Sequence, residues 1–146
     1  MPPCVCFPRR LGFRKNMNPN KFVAYQETRL LNAQPGTQAR IALEESLQAT
    51  RRAIVELKAG NAAQRSRAIT RAMNLLTEFA AMLNDRAAPD VCLNLRRLTD
   101  YAHHRLLEAH SKRSEAMMTE VIRLLQPIVE AWATVERRSA AALAQR

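Results

Sequence analysis

Every histidine of the chain, His103, His104 and His110, falls in the stretch NLRRLTDYAHHRLLEAH (residues 94–110), together with Asp100 and Tyr101. On a helix, Asp100 shares a face with His103 and His104, the spacing of a metal-ligand pair. Di-iron bundles, however, draw a Glu-x-x-His set from each of two helices, and here all the imidazoles sit on one. His103 and His104 are adjacent, so a helix points them about 100° apart and they cannot chelate together. Cys4 and Cys6 form a lone C-x-C and Cys92 stands by itself, without the second pair that a zinc site needs. Hydrolytic chemistry finds no better footing. There is no glycine-rich phosphate loop and no G-x-S-x-G, Glu44 and Glu45 diverge on a helix, and Ser46 has no base at readable spacing. The residue pattern assigns neither metal nor cofactor and points away from an enzyme.

The elements that must position these residues are helical. The chain has 146 residues, only 3 glycines and 5% aromatics, a length for one domain and a composition for helices rather than strands. Its formal net charge is +10, part of it concentrated in residues 1–21, which carry Arg9, Arg10, Arg14, Lys15 and Lys21 and no acid. That segment also holds Pro2, Pro3, Pro8 and Pro19 and has no period, so it reads as a disordered basic extension. Met17 opens a natural-looking start, and residues 1–16 read as an upstream start-codon artefact. A bundle is expected over residues 22–138 and a frayed tail over 139–146.

Pro35 opens a first helix over 35–59 with Leu43, Leu47, Ile54 and Leu57 inward, and Gly60 ends it. Asn61, with Gln64 three residues on, caps a second helix running to about residue 85. Its apolar face is wide, with Ile69, Met73, Leu76, Ala80 and Leu83 beside Ala72, Leu75, Phe79 and Met82. Pro89 opens a third helix with the stripe Val91, Leu95, Leu98, Ala102, Leu106 and Ala109, followed by a turn at 111–114. Ser114 caps a fourth, carrying Met118, Val121, Leu125, Ile128, Trp132 and Val135, with Pro127 set to bend it. Four such helices on short turns predict an all-α, antiparallel up-down bundle with a short N-terminal segment packed on it. The early segment lacks the apolar run of a signal peptide, no stretch reaches the roughly 20 apolar residues of a membrane span, and no disulfide framework is implied. These features point to the cytosol, without membrane insertion.

A basic chain invites an acidic partner. Arg65, Arg67 and Arg71 decorate the second helix and Arg96, Arg97 and Arg105 the third, but Asp85, Asp90, Asp100 and Glu108 are interspersed and aromatics for base stacking are scarce. Nucleic acid is therefore the weaker reading. The wide face of the second helix, with Met73, Phe79 and Met82, suits an adaptable groove for a protein partner, and it equally suits the bundle core.

The stretch at 94–110 resembles the third long helix of the flagellin export chaperone family (FliS), whose pattern runs N-L-x-x-L-Y-D-Y-M-x-R-R-L-x-x-A-N. Asn94, Leu95, Leu98, Asp100, Tyr101, Arg105, Leu106 and Ala109 match it, while Thr99, Ala102, His104 and His110 depart. EVIRLLQPIVEAW (residues 120–132) is similar to the family's last helix with its tryptophan, and AYQE (residues 24–27) to its N-terminal A-Y segment. The likeness covers about residues 22–135. The first helix departs, since QPGTQARIALEES keeps little of the family's pattern beyond the proline. The resemblance implies a four-helix bundle that binds the disordered C-terminal segment of flagellin, prevents premature polymerisation, and delivers it to the flagellar type III export apparatus, possible contact with export-gate components included. It further implies that Tyr25, flanked by Phe22 and Val23, plugs an apolar pocket until flagellin arrives. The residues expected to meet the partner are Phe22, Val23, Tyr25, Met73, Phe79, Met82, Leu98, Tyr101 and Arg105. The competing reading is a basic helical adaptor for nucleic acid or another secretion substrate.

Overall fold

The computed structural model describes residues 35–145, and within them there are four helices and no strand. They are α1 (Pro35–Lys58), α2 (Ala62–Ala81), α3 (Pro89–Lys112) and α4 (Glu115–Ala144). Each packs against the next along the chain and α4 returns to α1, closing an up-down four-helix ring. The plug residues Phe22, Val23 and Tyr25, and the extension before them, lie outside the described residues. No described helix is long and apolar enough to cross a membrane.

The α1–α2 pair is the most intimate. Ala39, Ala42, Ala49 and Ala53 on α1 and Ala68 and Ala72 on α2 are all buried, and such small side chains let two backbones approach closely. Ser46 and Thr50, fully buried among them, return their hydroxyls to the carbonyls of Leu43 and Ser46 at 2.9 and 2.8 Å, so neither is an orphan in the core. Larger residues fill the rest: Leu43, Leu76, Phe79, Met82, Leu106, Met118, Val121 and Leu125.

The turns explain the boundaries. Gly60 sits at φ 76°, its N–H bonded to the Leu57 carbonyl and that of Asn61 to Glu56, a Schellman closure of α1. Asn61 does not cap α2 with its side chain as the sequence suggested; it turns back and donates from Nδ2 to Glu56 Oε2 at 2.9 Å. α2 stops at Ala81, short of residue 85. Arg96, reaching across from α3, takes the carbonyl of Ala80 at 2.8 Å and grips Asp85 through Nη2 at 3.0 Å. Asn84 Oδ1 meanwhile accepts from the Arg86 N–H and starts a turn. α3 runs on to Lys112 and turns at Arg113, which is left-handed (φ 50°, ψ 44°), and Ser114 caps α4 by accepting from the Met117 N–H at 3.4 Å.

The stripe of α3 is rotated by one residue at its start. Cys92 is buried and donates to the Asn84 carbonyl at 3.4 Å, while Val91 is 48% exposed. The inward face is set by Cys92, Thr99, Ala102, Leu106 and Ala109, and Val91 lies a 100° step off it. α4 passes through Pro127 as one helix, with that residue on its exposed side, and continues past 138 to Ala144; the alanines of that stretch have the highest helix propensity. Trp132 ties α4 to the start of α1, donating from Nε1 to the Gly36 carbonyl at 3.0 Å and meeting Phe79 edge to face at 5.4 Å.

Candidate partner interface

Tyr101 and Arg105 project from α3 one turn apart and converge on Glu120 of α4. The Tyr101 hydroxyl donates to Glu120 Oε1; Arg105 donates through Nε to Oε2 at 2.9 Å and also reaches that oxygen through Nη2 at 2.8 Å. Arg105 Nη1 turns to Glu108 at 2.9 Å, and Lys112 Nζ meets the other oxygen of Glu108 at 2.9 Å. The electrostatics follow from these contacts. The Arg105 guanidinium, with the Tyr101 hydroxyl, holds the Glu120 carboxyl below its ordinary range, and Lys112 and Arg105 do the same to Glu108. The Glu120 hydrogen bond pushes the Tyr101 phenol up. Asp100, which accompanies these residues in the family pattern, is exposed and outside the cluster.

The same faces continue as an apolar seam toward the opposite end of the bundle. On α3, Leu98 and Val91 stand seven and fourteen residues before Arg105, hence on one line along the helix. On α4, Leu124, Ile128, Ala131 and Val135 follow Glu120 at helical spacing. The helices are antiparallel neighbours, and the Tyr101–Glu120 and Arg105–Glu120 contacts fix their register, so the two lines run beside each other. None of these apolar residues is buried: Val91 and Ala131 are exposed, and Leu98, Leu124, Ile128 and Val135 are half-buried, Leu124 and Ile128 with one side packed against the core. The result is a shallow apolar strip with a charged cluster at one end.

The structure divides the sequence candidates. It brings Leu98, Tyr101 and Arg105 onto this strip. Phe79 and Met82 are a correction: both are fully buried, filling the space inside the ring, and cannot touch a partner in this conformation. Met73 is half-buried and packs against the core. The width of α2's apolar face is explained by its two neighbours, α1 and α3, rather than by a groove. Sequence reading missed Glu120, Leu124 and Val91 as parts of one surface. The two-residue turn Arg113–Ser114 was the available signal, because so short a link fixes which α4 residue faces which α3 residue.

Among the described residues, the arginines of α2 and α3 form no continuous stripe. Arg65 is buried, Arg71 pairs with Glu45 at 3.8 Å and Arg96 is consumed by the α2–α3 turn, leaving Arg67 and Arg97 exposed on those helices. Among the described residues, no three His, Cys, Asp or Glu side chains gather as a metal site.

The family model described as flagellar protein FliS matches residues 18–139. The chain is also 26% identical over 114 residues to the flagellar secretion chaperone FliS of Salmonella typhimurium (strain LT2), an alignment spanning 77% of this chain and 84% of that protein. A family match over most of the chain, on a four-helix bundle that carries the Tyr101–Arg105 pattern, establishes that the chain belongs to the flagellar protein FliS family.

Proposed function

We propose that this protein is a cytosolic, non-enzymatic export chaperone that binds the disordered C-terminal segment of flagellin along the α3–α4 strip, keeps it from polymerising prematurely and hands it to the flagellar type III export apparatus. The observation that supports this reading most is the strip itself, six apolar side chains left part-exposed beside a fixed charged cluster on a family member's bundle. A disordered segment that folds as it binds covers much surface while losing part of the interaction energy to ordering, which suits a cargo that must later be released. The exposed apolar residues would supply affinity by burial, and Tyr101, Arg105 and Glu120 would set orientation through hydrogen bonds to the segment's backbone or polar groups. Tyr25, with Phe22 and Val23, would cover part of the strip in the empty chaperone and leave when flagellin arrives.

Titration of the full chain with a synthetic flagellin C-terminal segment, at low and high salt, tests the proposal. Binding should persist from about 50 to 500 mM salt, because apolar burial is little screened. Retention of nucleic acid instead, with affinity falling steeply as counterions are released, would replace the proposal with the basic-adaptor reading. In the same titration Tyr25→Ala should change the affinity; an unchanged value removes the plug.

A further inference from the structure

The end of the bundle formed by the α1–α2 and α3–α4 turns contains a buried arginine that no carboxylate among the described residues pairs with. Arg65, in the first turn of α2, keeps only 7% of its surface. It shares a face with Ile69, Ala72 and Leu76, all buried, so its stem runs into the end of the core. Its Nε is fully buried without a hydrogen-bond partner, and among the described residues no carboxylate pairs with the guanidinium. Burying part of a guanidinium without a counter-charge is unfavourable. Among the described residues, the carboxylates at this end are otherwise engaged. Glu56 is held by Arg52 at 2.7 Å and Asn61 at 2.9 Å, and Glu115 by Lys58 at 2.9 Å.

Two further observations agree in sign. His110, in the last turn of α3 and hence at the same end, has its Nδ1 buried and unpartnered. α2 and α3 are packed neighbours, and His110 lies on the flank of α3 that turns toward α2, since it continues the line of His103 and Arg96. The first turn of α2 has no acid and no side-chain cap, so the positive end of that helix is unanswered.

We infer that Arg65 and His110, with the uncapped start of α2, form a receptor for a single carboxylate. A planar carboxylate matches the guanidinium edge and can accept from an Nδ1–H imidazole at the same time. One fixed charge plus a partial helix dipole fits a monoanion rather than a phosphate dianion. The carboxylate belongs either to a small organic acid or to an acidic side chain of a bound polypeptide. The inference rests on this end of the bundle and stands whether or not the α3–α4 strip holds flagellin.

The test is an NMR titration of the full-length chain with sodium acetate at constant ionic strength against chloride. The Arg65 Nε–H and His110 ring resonances should shift saturably while the exposed Arg67 does not respond. Arg65→Met should remove the His110 response and raise Tm, since it deletes an unpaired buried charge; Arg65→Lys should retain a weaker response. Adding excess flagellin C-terminal segment then identifies the source. If it abolishes the acetate response, the polypeptide supplies the carboxylate; if the response persists while shifts on the α3–α4 strip show the segment bound, the ligand is a free acid. Non-saturating shifts, shifts shared equally by Arg67, or an unaltered His110 response in Arg65→Met overturns the inference.

Discussion

Glu120 is the residue on which the candidate interface turns, because it joins the tyrosine and arginine of α3 to α4. Its carboxyl is held below the ordinary value near 4.3, first by Arg105 and then by Tyr101. A lowered carboxylate contributes stability that is fully present above its unfolded pKa and is lost as pH falls through the folded one. Glu120→Gln should therefore lower Tm slightly at pH 7. The gap from the unsubstituted chain should stay level down to about pH 5 and close below the ordinary carboxylate range. Thermal unfolding followed by circular dichroism across pH 2.5–8 checks this, and a gap that does not depend on pH would show that Glu120 acts through packing instead. Tyr101 and Arg105 were legible as a family pattern. Glu120 was not, because it pairs with residues 15 and 19 positions away on another helix, and no local spacing encodes that.

At the scale of elements, the local chemistry of the chain marks most boundaries. Pro35 and Pro89 open helices, Gly60 supplies the positive φ that closes α1, and Ser114 caps α4. The misplaced boundaries were those set from elsewhere in the fold. α2 ends early because an arginine on α3 takes its last carbonyls, and α3 runs long because Arg113 adopts the left-handed conformation without being glycine. That conformation costs a non-glycine residue about 1 kcal/mol, and the side chain is exposed. Arg113→Gly should accordingly stabilise the chain by about 0.5–1 kcal/mol, allowing for glycine's larger entropy when unfolded. Urea denaturation should show a higher midpoint with an unchanged slope; a lower midpoint would mean that the Arg113 side chain itself supports the turn.

At the scale of the whole molecule, the ring of four antiparallel helices was predictable from periodicity and short turns, whereas the split between core and surface was not. Phe79 on α2 and Met82 at its C-cap carry the same apolar signal as Leu98 on α3, yet the first two are sealed inside and the third lies on the strip. Helical spacing says which residues share a face; only packing decides how much of that face a neighbour covers. Val91 looked like core from its place in the α3 stripe and is exposed because the inward face begins at Cys92. It makes a clean probe, since a charge there faces solvent and should leave the fold intact. The most direct measurement is the affinity of Val91→Asp for the flagellin C-terminal segment by isothermal titration calorimetry, against Val55→Asp, which puts the same charge on an exposed valine of α1. If the α3–α4 strip holds the segment, Val91→Asp weakens binding by at least about tenfold, the cost of desolvating or displacing one misplaced charge, while Val55→Asp binds as the parent does. Equal affinities for the two variants, or a larger loss in Val55→Asp, would contradict the account.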